Sequence, residues 1–97
     1  MTYLLHPEAE QDLPQAAKFY QERGGSLLSQ PFLAEFERSV RLLVRHPQLG
    51  SLWRYGKRRF VMRRFPYSLI HIGGGEELRI LAVAHQSRRP GYWRGRK

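Results

Sequence analysis

The sequence predicts an α+β domain in which a helical hairpin packs on a mainly antiparallel, four-stranded sheet and a basic, aromatic tail ends the chain. Three observations predict this fold. Apolar residues recur at helical spacing up to about residue 45, and extended runs rich in β-branched and aromatic residues take over from Lys57. The last run, LRILAVAHQ, passes directly into the tail, SRRPGYWRGRK. The predicted element order is β-α-α-β-β-β.

A chain of 97 residues corresponds to one domain, so we assign residues 1–97 to a single domain. It contains no cysteine, which excludes disulfides, a thiolate nucleophile and a thiolate metal site. No apolar run approaches the roughly 20 residues that span a bilayer, and the N-terminus lacks the pattern of a signal peptide. We therefore expect a cytoplasmic protein without membrane contact, cofactor or small-molecule substrate.

The first strand and the first helix are predicted next to each other. Residues 3–5 form a short apolar start, and Pro7 then suits the first helical position, where its missing N–H removes no hydrogen bond. Acidic residues follow in the first turn, beside the positive end of the helix dipole. The apolar stripe comprises Ala9, Leu13, Ala16 and Tyr20. Pro14 should bend this helix, and the glycines at 24 and 25 should end it.

A second helix is predicted over residues 29–45, with Pro31 in its first turn. Its apolar face comprises Phe32, Phe36, Val40, Leu43 and Val44. Pro47 and Gly50 follow its end. Because only a short glycine-containing turn separates the two helices, they should form an antiparallel hairpin.

Three extended runs, residues 57–65, 67–72 and 78–86, predict the remaining strands. A Phe-Pro corner and a glycine triplet separate them, and such short separators predict antiparallel neighbours. In the last run, strict alternation places Ile80, Ala82 and Ala84 on one face and Leu81, Val83 and His85 on the other. Both faces are largely apolar, so the hairpin should cover one face and the tail, or a partner, the other.

Charge is distributed unevenly along the chain. The formal net charge is +9, but residues 1–37 sum to −4 and residues 38–97 sum to +13. A cationic field of that size attracts polyanions, which favours nucleic acid or an acidic protein as partner. The alternative is an arginine-rich surface that serves only solubility, although solubility requires no such segregation.

Several segments carry a family resemblance. HPEAEQDL and AAKFY in the first helix, RRFPYSLIHI in the middle strands and ILAVAHQSRRPGYW at the end resemble the toxin subunits of the RelE/ParE superfamily. The resemblance extends from about residue 3 to residue 93, and its most specific part is the strand that leads through AHQ into RRPGYW. It implies a small bacterial toxin that is encoded beside an antitoxin, held inactive by it and released when the antitoxin is degraded.

The superfamily contains two mechanisms. One branch consists of ribosome-dependent endoribonucleases, and the other poisons DNA gyrase without enzymatic activity of its own. FPYSLIHI and AVAHQSRRPGYW resemble the gyrase-directed, ParE-like branch more closely, so we favour gyrase poisoning. Metal-independent mRNA cleavage on the ribosome is the alternative, and a non-toxic nucleic-acid-binding module is a second alternative. At this stage it stays open whether the protein is an enzyme.

The nuclease alternative implies four catalytic candidates: His85, Arg64, Arg88 and Tyr92. RNA cleavage without metal requires a group that deprotonates the ribose 2′-hydroxyl, cations that stabilise the phosphate and an acid for the leaving oxygen. Arg64 should end the second strand and His85 the fourth, so we expect one concave surface to hold all four. His85 is the first candidate for proton transfer, because an unperturbed histidine titrates near pH 6.5. Alternatively, His85 caps the core beside Val83.

A second group of candidates, for binding the target or nucleic acid, comprises Lys57, Arg58, Arg59, Arg63 and Arg89. Alternation along the strand sets Arg58 on the face of Phe60 and Arg59 on the face of Val61, so only part of the cluster points into any one site. The alternative for these cations is a solvated strand edge that resists aggregation. Tyr92 and Trp93 suit base stacking, but for Trp93 we favour packing against the sheet.

Four scattered histidines without HxxxH or HxH spacing predict no metal site. The resemblance implies a cognate antitoxin as partner, and in this family such partners contain segments that order on binding and are often acidic. DNA gyrase, or the ribosome with its mRNA, is the expected target.

Overall fold

Two helices and five strands follow one another in the residues that the structure describes, which are 2–74, 77–89, 91–93 and 95–96 of this computed structural model. The elements are β1 (Thr2–Leu5), α1 (Pro7–Gly24), α2 (Ser26–Arg45), β2 (Ser51–Leu52), a 3-10 turn (Arg54–Gly56), β3 (Arg58–Val61), β4 (Tyr67–Gly74) and β5 (Glu77–His85). The α+β class and the order of the predicted elements are confirmed. No helix in the described part of the chain is both long and apolar enough to cross a membrane.

The sheet contains five strands in the order β1-β5-β4-β3-β2, not the four that the sequence predicts. The additional strand, β2, is two residues long and pairs antiparallel with β3, which is too short a segment to show a period of two. β1 pairs with β5 in parallel, and the other neighbours are antiparallel. The turn predicted at the glycine triplet lies partly outside the described residues, since Gly75 and Glu76 belong to the gap between 74 and 77.

The helical hairpin forms as the turn chemistry predicts. Pro7 begins α1, and His6 caps it by accepting a hydrogen bond at Nδ1 from the Glu8 N–H, at 3.1 Å. The helix continues through Pro14, which is exposed, and ends at Gly24. α2 begins three residues earlier than predicted, because Gly25, with a φ of 60°, is enough to reverse the chain.

The main core lies between the hairpin and one face of the sheet. All the predicted apolar positions of both helices contribute to it or lie buried beside it. Its centre is an aromatic group in which Phe32 of α2 meets Phe65 and Tyr67 at ring-centroid distances of 5.3 and 5.2 Å. Large rings at these distances remove much apolar surface from water, so this contact helps to attach the hairpin to the sheet.

A smaller cluster covers the opposite face of the sheet. Ile70, Ala82 and Ala84 are buried there beneath Trp93, whose side chain is 2% exposed. The prediction that Trp93 packs back on the sheet is confirmed. Both faces of β4 and β5 are therefore covered, as their apolar composition requires.

One predicted detail of β5 is wrong. Ile80 was placed on the same face as Ala82 and Ala84, but it packs in the main core, together with Val83. The cause is an irregularity in the pairing with β4, where Ile70 faces Ala82 while the next residue, His71, faces Ile80. Leu81 is therefore an extra residue in β5, and a bulge of this kind shifts the alternation by one.

His71 is completely buried in β4, with both ring nitrogens lacking a hydrogen-bond partner among the described residues. Burial first, and the neighbouring charge of Arg58 second, lower its pKa from 6.5 to about 4. The backbone of Gly50 lies directly against Nε2 of the ring, so closely that a side chain at this position would overlap with it. The ring is therefore enclosed in its neutral form.

This enclosure predicts acid-sensitive stability. Above pH 6.5 the ring is neutral in both the folded and the unfolded chain, whereas between pH 6.5 and about 4 only the unfolded chain takes up a proton. The free energy of unfolding should therefore fall as the pH drops through this window. Urea titrations at pH 7 and pH 5 measure this fall. Between the two pH values, the free energy of unfolding of His71→Leu should fall by roughly 1–2 kcal/mol less than that of the wild type.

The matched control is His46→Leu, which replaces an exposed histidine after α2. Its free energy of unfolding should fall between pH 7 and pH 5 by as much as that of the wild type. If wild type and His71→Leu lose the same stability between pH 7 and pH 5, His71 is not the titrating group.

Candidate functional site

The edge of β5 is only half covered by a neighbouring strand. β1 pairs with it as far as Ile80, where the chain turns at His6 and Pro7 into α1. Beyond that point, Leu81 presents a carbonyl and Val83 an N–H toward the uncovered edge. Buried backbone groups of this kind require partners, and here side chains supply them.

The partners are Asp12 of α1 and Arg96 of the tail. The Asp12 carboxylate accepts the Val83 N–H at 3.1 Å, and the Arg96 guanidinium donates to the Leu81 carbonyl at 2.9 Å. The two side chains also bind each other at 2.8 Å, and Arg96 donates to Glu8 at 2.6 Å. We call Asp12, Glu8 and Arg96 the tail latch.

Two members of the tail latch are well shielded from solvent, since the side chains of Arg96 and Asp12 are only 10% and 14% exposed, whereas Glu8 lies mostly in solvent. Burial by itself lowers the pKa of Arg96, but its hydrogen bonds to Asp12 and Glu8 outweigh burial and raise that pKa above its usual value. The guanidinium is therefore charged at every physiological pH. The latch fixes the tail to the helix and to the sheet at once.

Tyr92 lies between two arginines of the tail. The guanidinium carbons of Arg88 and Arg96 lie 4.3 and 5.1 Å from the centre of its ring. Burial, and secondarily the charge of Asp12, raise the pKa of the Tyr92 phenol. The phenol is therefore protonated at neutral pH and does not serve as a base.

His85 ends β5 with its ring set edge-on to Tyr67, at a centroid distance of 5.0 Å. Its Nδ1 accepts the backbone N–H of Ser87 at 3.0 Å and lies 2.7 Å from the Ser87 hydroxyl. A nitrogen that accepts a backbone N–H carries no proton of its own, so this geometry selects the tautomer with the proton on Nε2. In that form Nε2 is a hydrogen-bond donor.

Several predicted site residues meet in a small recess on the sheet face away from the helices, with a volume of about 50 Å³. We call it the arginine recess. Its charged and polar lining includes Arg59, Arg88, Arg89, His85 and Tyr92, and Trp53 and Ile70 add apolar surface. His85, Arg88 and Tyr92 also border a second groove, toward α1.

Arg64 lies elsewhere. β3 ends at Val61, so the prediction that Arg64 ends this strand is wrong. Arg64 instead occupies the turn between β3 and β4 with a φ of 70°, and its guanidinium carbon lies 5.7 Å from the ring centre of Phe65, a residue of the main core. It is not among the described residues that line the arginine recess.

The predicted basic cluster divides between the two faces. Arg58 donates a hydrogen bond to the Gly50 carbonyl at 2.8 Å and lies opposite His71 in the sheet. Arg59 lines the arginine recess, and its guanidinium carbon lies 3.9 Å from the centre of the Trp53 ring. Lys57 precedes β3 and is half-buried. Arg63 is exposed, and its backbone N–H binds Glu35 at 2.7 Å. One member of the strand cluster thus joins the tail residues.

Comparison with known protein families identifies the family of the chain. Residues 3–90 match the family described as the ParE toxin of the type II toxin-antitoxin system, parDE. The chain belongs to the ParE toxin family. The predicted membership of the RelE/ParE superfamily is thereby confirmed.

A solved structure supports the fold of this ParE toxin. The chain is similar to one in the structure titled "Chromosomal ParDE TA system from P. aeruginosa", with a TM-score of 0.77 and 22% sequence identity, covering 88% of this chain and 95% of that one. At this identity the likeness concerns the fold. No curated protein matches the sequence.

Two functional features of this ParE toxin escaped the sequence analysis. Arg96 lies beyond the last residue of the family match, and nothing in the local sequence connects it with Asp12, 84 positions earlier. Trp53 was not among the candidate site residues, but its ring contacts the guanidinium of Arg59 in the arginine recess. Among the described residues, no group of three or more histidines or carboxylates is placed to hold a metal ion.

The tail latch predicts a strong energetic coupling across the ParE toxin. Asp12→Ala leaves the Val83 N–H without its acceptor and leaves the buried Arg96 charge with only the mostly exposed Glu8 as ion-pair partner, so it should lower the free energy of unfolding by about 2–4 kcal/mol. Arg96→Ala should cost less, about 1–3 kcal/mol, because the mostly exposed Glu8 remains solvated when its partner is removed. Urea unfolding of both variants and of the double variant should give a coupling energy above about 1 kcal/mol.

Lys18 and Glu22 form the control pair. They lie one turn apart on α1, their charged atoms are 4.0 Å apart, and both side chains are mostly exposed. The same double-mutant cycle should find no measurable coupling there. Equal coupling in the two pairs would show that the tail latch does not hold the tail.

Proposed function

We propose that this ParE toxin arrests growth by poisoning DNA gyrase and that a cognate antitoxin neutralises it. Membership of the ParE toxin family supports a toxin of a type II system. Action on gyrase is the mechanism that the sequence resemblance favours. It implies that the protein acts in the cytoplasm, where chromosomal DNA and gyrase lie.

The observation that carries the choice of target is the hydrogen-bonding state of His85. Its Nδ1 accepts the Ser87 N–H, which favours the tautomer with the proton on Nε2, and in that tautomer Nε2 is a donor and not a base. Raising the pKa of Tyr92 likewise favours its protonated form. The arginine recess therefore suits the binding of an anion better than the cleavage of RNA.

The position of Arg64 supports the same conclusion. A metal-free nuclease requires its acid, base and cations around one phosphate. Of the four catalytic candidates, His85, Arg88 and Tyr92 share the arginine recess, whereas Arg64 contacts Phe65 at the turn between β3 and β4. Arg64 therefore does not join the other three candidates, although Arg59 and Arg89 supply further cations there.

Gyrase poisoning predicts two results with the purified protein. Supercoiling of a relaxed plasmid by gyrase should fall at least 10-fold at micromolar toxin, and linear DNA should accumulate after protease treatment, as expected when cleaved DNA stays bound to the enzyme. Agarose gels measure both. Relaxation of the same plasmid by topoisomerase I is the control and should stay unchanged, because a basic protein that merely coats DNA would block both enzymes.

The nuclease alternative has its own readout. Primer extension on mRNA from induced cells should show no new cleavage sites during growth arrest. Cleavage within ribosome-bound mRNA, together with unaffected gyrase, would replace the proposed target with the ribosome. Normal growth after induction would favour the non-toxic binding module.

Charge supports an acidic antitoxin. Residues 38–97 carry a net charge of +13, and an acidic segment that orders on binding would neutralise part of it and bury apolar surface. A partner that binds only the folded chain also stabilises it by mass action.

This pairing predicts that the product of a neighbouring short reading frame restores growth when both genes are induced. The two proteins should elute together in size-exclusion chromatography, and the melting temperature of the toxin should rise by about 5 °C or more. An unrelated acidic protein of similar charge is the control and should leave growth arrested. Growth arrest that persists although the two proteins elute together would contradict neutralisation.

A further inference from the structure

The arginine recess brings three arginine side chains together. Arg59 reaches it from β3, and Arg88 and Arg89 reach it from the turn after β5. None of the three forms an ion pair with a carboxylate in the part of the chain that the structure describes. Like charges that line one recess repel each other, so a bound anion is favoured there.

Arg59 is already held in place for such an anion. Its guanidinium carbon lies 3.9 Å from the centre of the Trp53 ring, and its Nε is buried with no acceptor among the described residues. An N–H that is buried without an acceptor is destabilising, and a guanidinium characteristically donates two parallel hydrogen bonds to phosphate oxygens. A phosphate in the arginine recess would supply acceptors for the guanidinium of Arg59.

The surroundings of the arginine recess distinguish a nucleic-acid strand from a free phosphate. The recess has space for one small anion, but the residues that line it include Arg59 and Arg88, whose guanidinium carbons lie 3.9 and 4.3 Å from the ring centres of Trp53 and Tyr92. Flat guanidinium and aromatic surfaces are the ones on which unpaired bases stack. His85 Nε2–H adds a donor beside them. A free phosphate would use only the central donors.

We propose that the arginine recess binds one backbone phosphate of a single-stranded or locally unpaired nucleic acid, with Arg59 as the principal donor. The role of this site rests on the proposed function, since the strand in question would be DNA held open by gyrase. The binding itself requires only the toxin. The site and the proposed function can therefore fail separately.

The test measures binding of the full-length toxin to a fluorescently labelled 12-nucleotide single-stranded DNA by anisotropy, with no gyrase present and at several salt concentrations. Arg59→Gln should weaken binding about 10-fold or more and reduce the salt dependence by about one phosphate contact. Arg41→Gln is the matched control. It removes one exposed arginine from α2 and should weaken binding less than about 3-fold.

Two further variants guard against a folding defect. Arg89→Gln removes an exposed member of the arginine recess and should weaken binding about 3-fold or more with an unchanged melting temperature. Arg59→Lys keeps the charge but loses the paired donors, so it should bind more weakly than the wild type. If Arg59→Gln, Arg89→Gln and Arg41→Gln weaken DNA binding equally, the DNA binds a diffuse cationic surface and the proposal is overturned.

Competitors identify the source of the phosphate. Unlabelled single-stranded DNA should displace the probe at micromolar concentration, and inorganic phosphate should need at least 100-fold more. If inorganic phosphate displaces the probe at concentrations similar to those of unlabelled DNA, the recess binds a small anion and the strand proposal is overturned. An RNA probe of the same sequence that binds at least 10-fold more tightly than DNA would overturn the DNA role. Gyrase inhibition by wild type, measured separately, reports on the proposed function alone.

Discussion

An ion pair takes the place of a missing strand in this ParE toxin. Because β1 leaves the sheet at Leu5, the second half of β5 would expose unpaired backbone groups at an edge, which invites aggregation. Asp12 and Arg96 satisfy the Leu81 carbonyl and the Val83 N–H and neutralise each other in the same contact. One polar cluster thus joins the first helix, the last strand and the C-terminal tail.

The tail latch also determines where positive charge remains. Glu8 and Asp12 are both engaged by Arg96, and Glu35 is engaged by Arg38 and by the backbone of Arg63, contacts that together lower the Glu35 pKa in spite of its burial. The acids of the N-terminal third are thus partly committed to structural contacts. In the part of the chain that the structure describes, no ion pair involves an arginine of the recess, which is the electrostatic condition for binding a polyanion.

Aromatic rings give the arginine recess its shape and limit its chemistry. Trp53 and Tyr92 orient the guanidinium groups of Arg59 and Arg88, and Tyr67 packs against His85. The side chains that look catalytic in the sequence are thereby held as donors and cations. Such a surface of donors and cations suits the phosphate binding that we propose better than the proton abstraction that begins RNA cleavage.

The sequence by itself determined the α+β class, the two helices, the antiparallel meander and the burial of Trp93, because each depends on local periodicity, on turn residues or on apolar composition. It also determined the cationic character of the C-terminal two thirds. The tertiary structure decided the rest. Because of the bulge at Leu81, Ile80 lies on the other face of the sheet, and the turn after β3 brings Arg64 against Phe65. The hydrogen bond from Ser87 favours one tautomer of His85. The contact of Asp12 with Arg96 joins residues 84 positions apart, and such pairings arise only when the chain closes on itself, since no local pattern specifies which distant charge will meet which open edge.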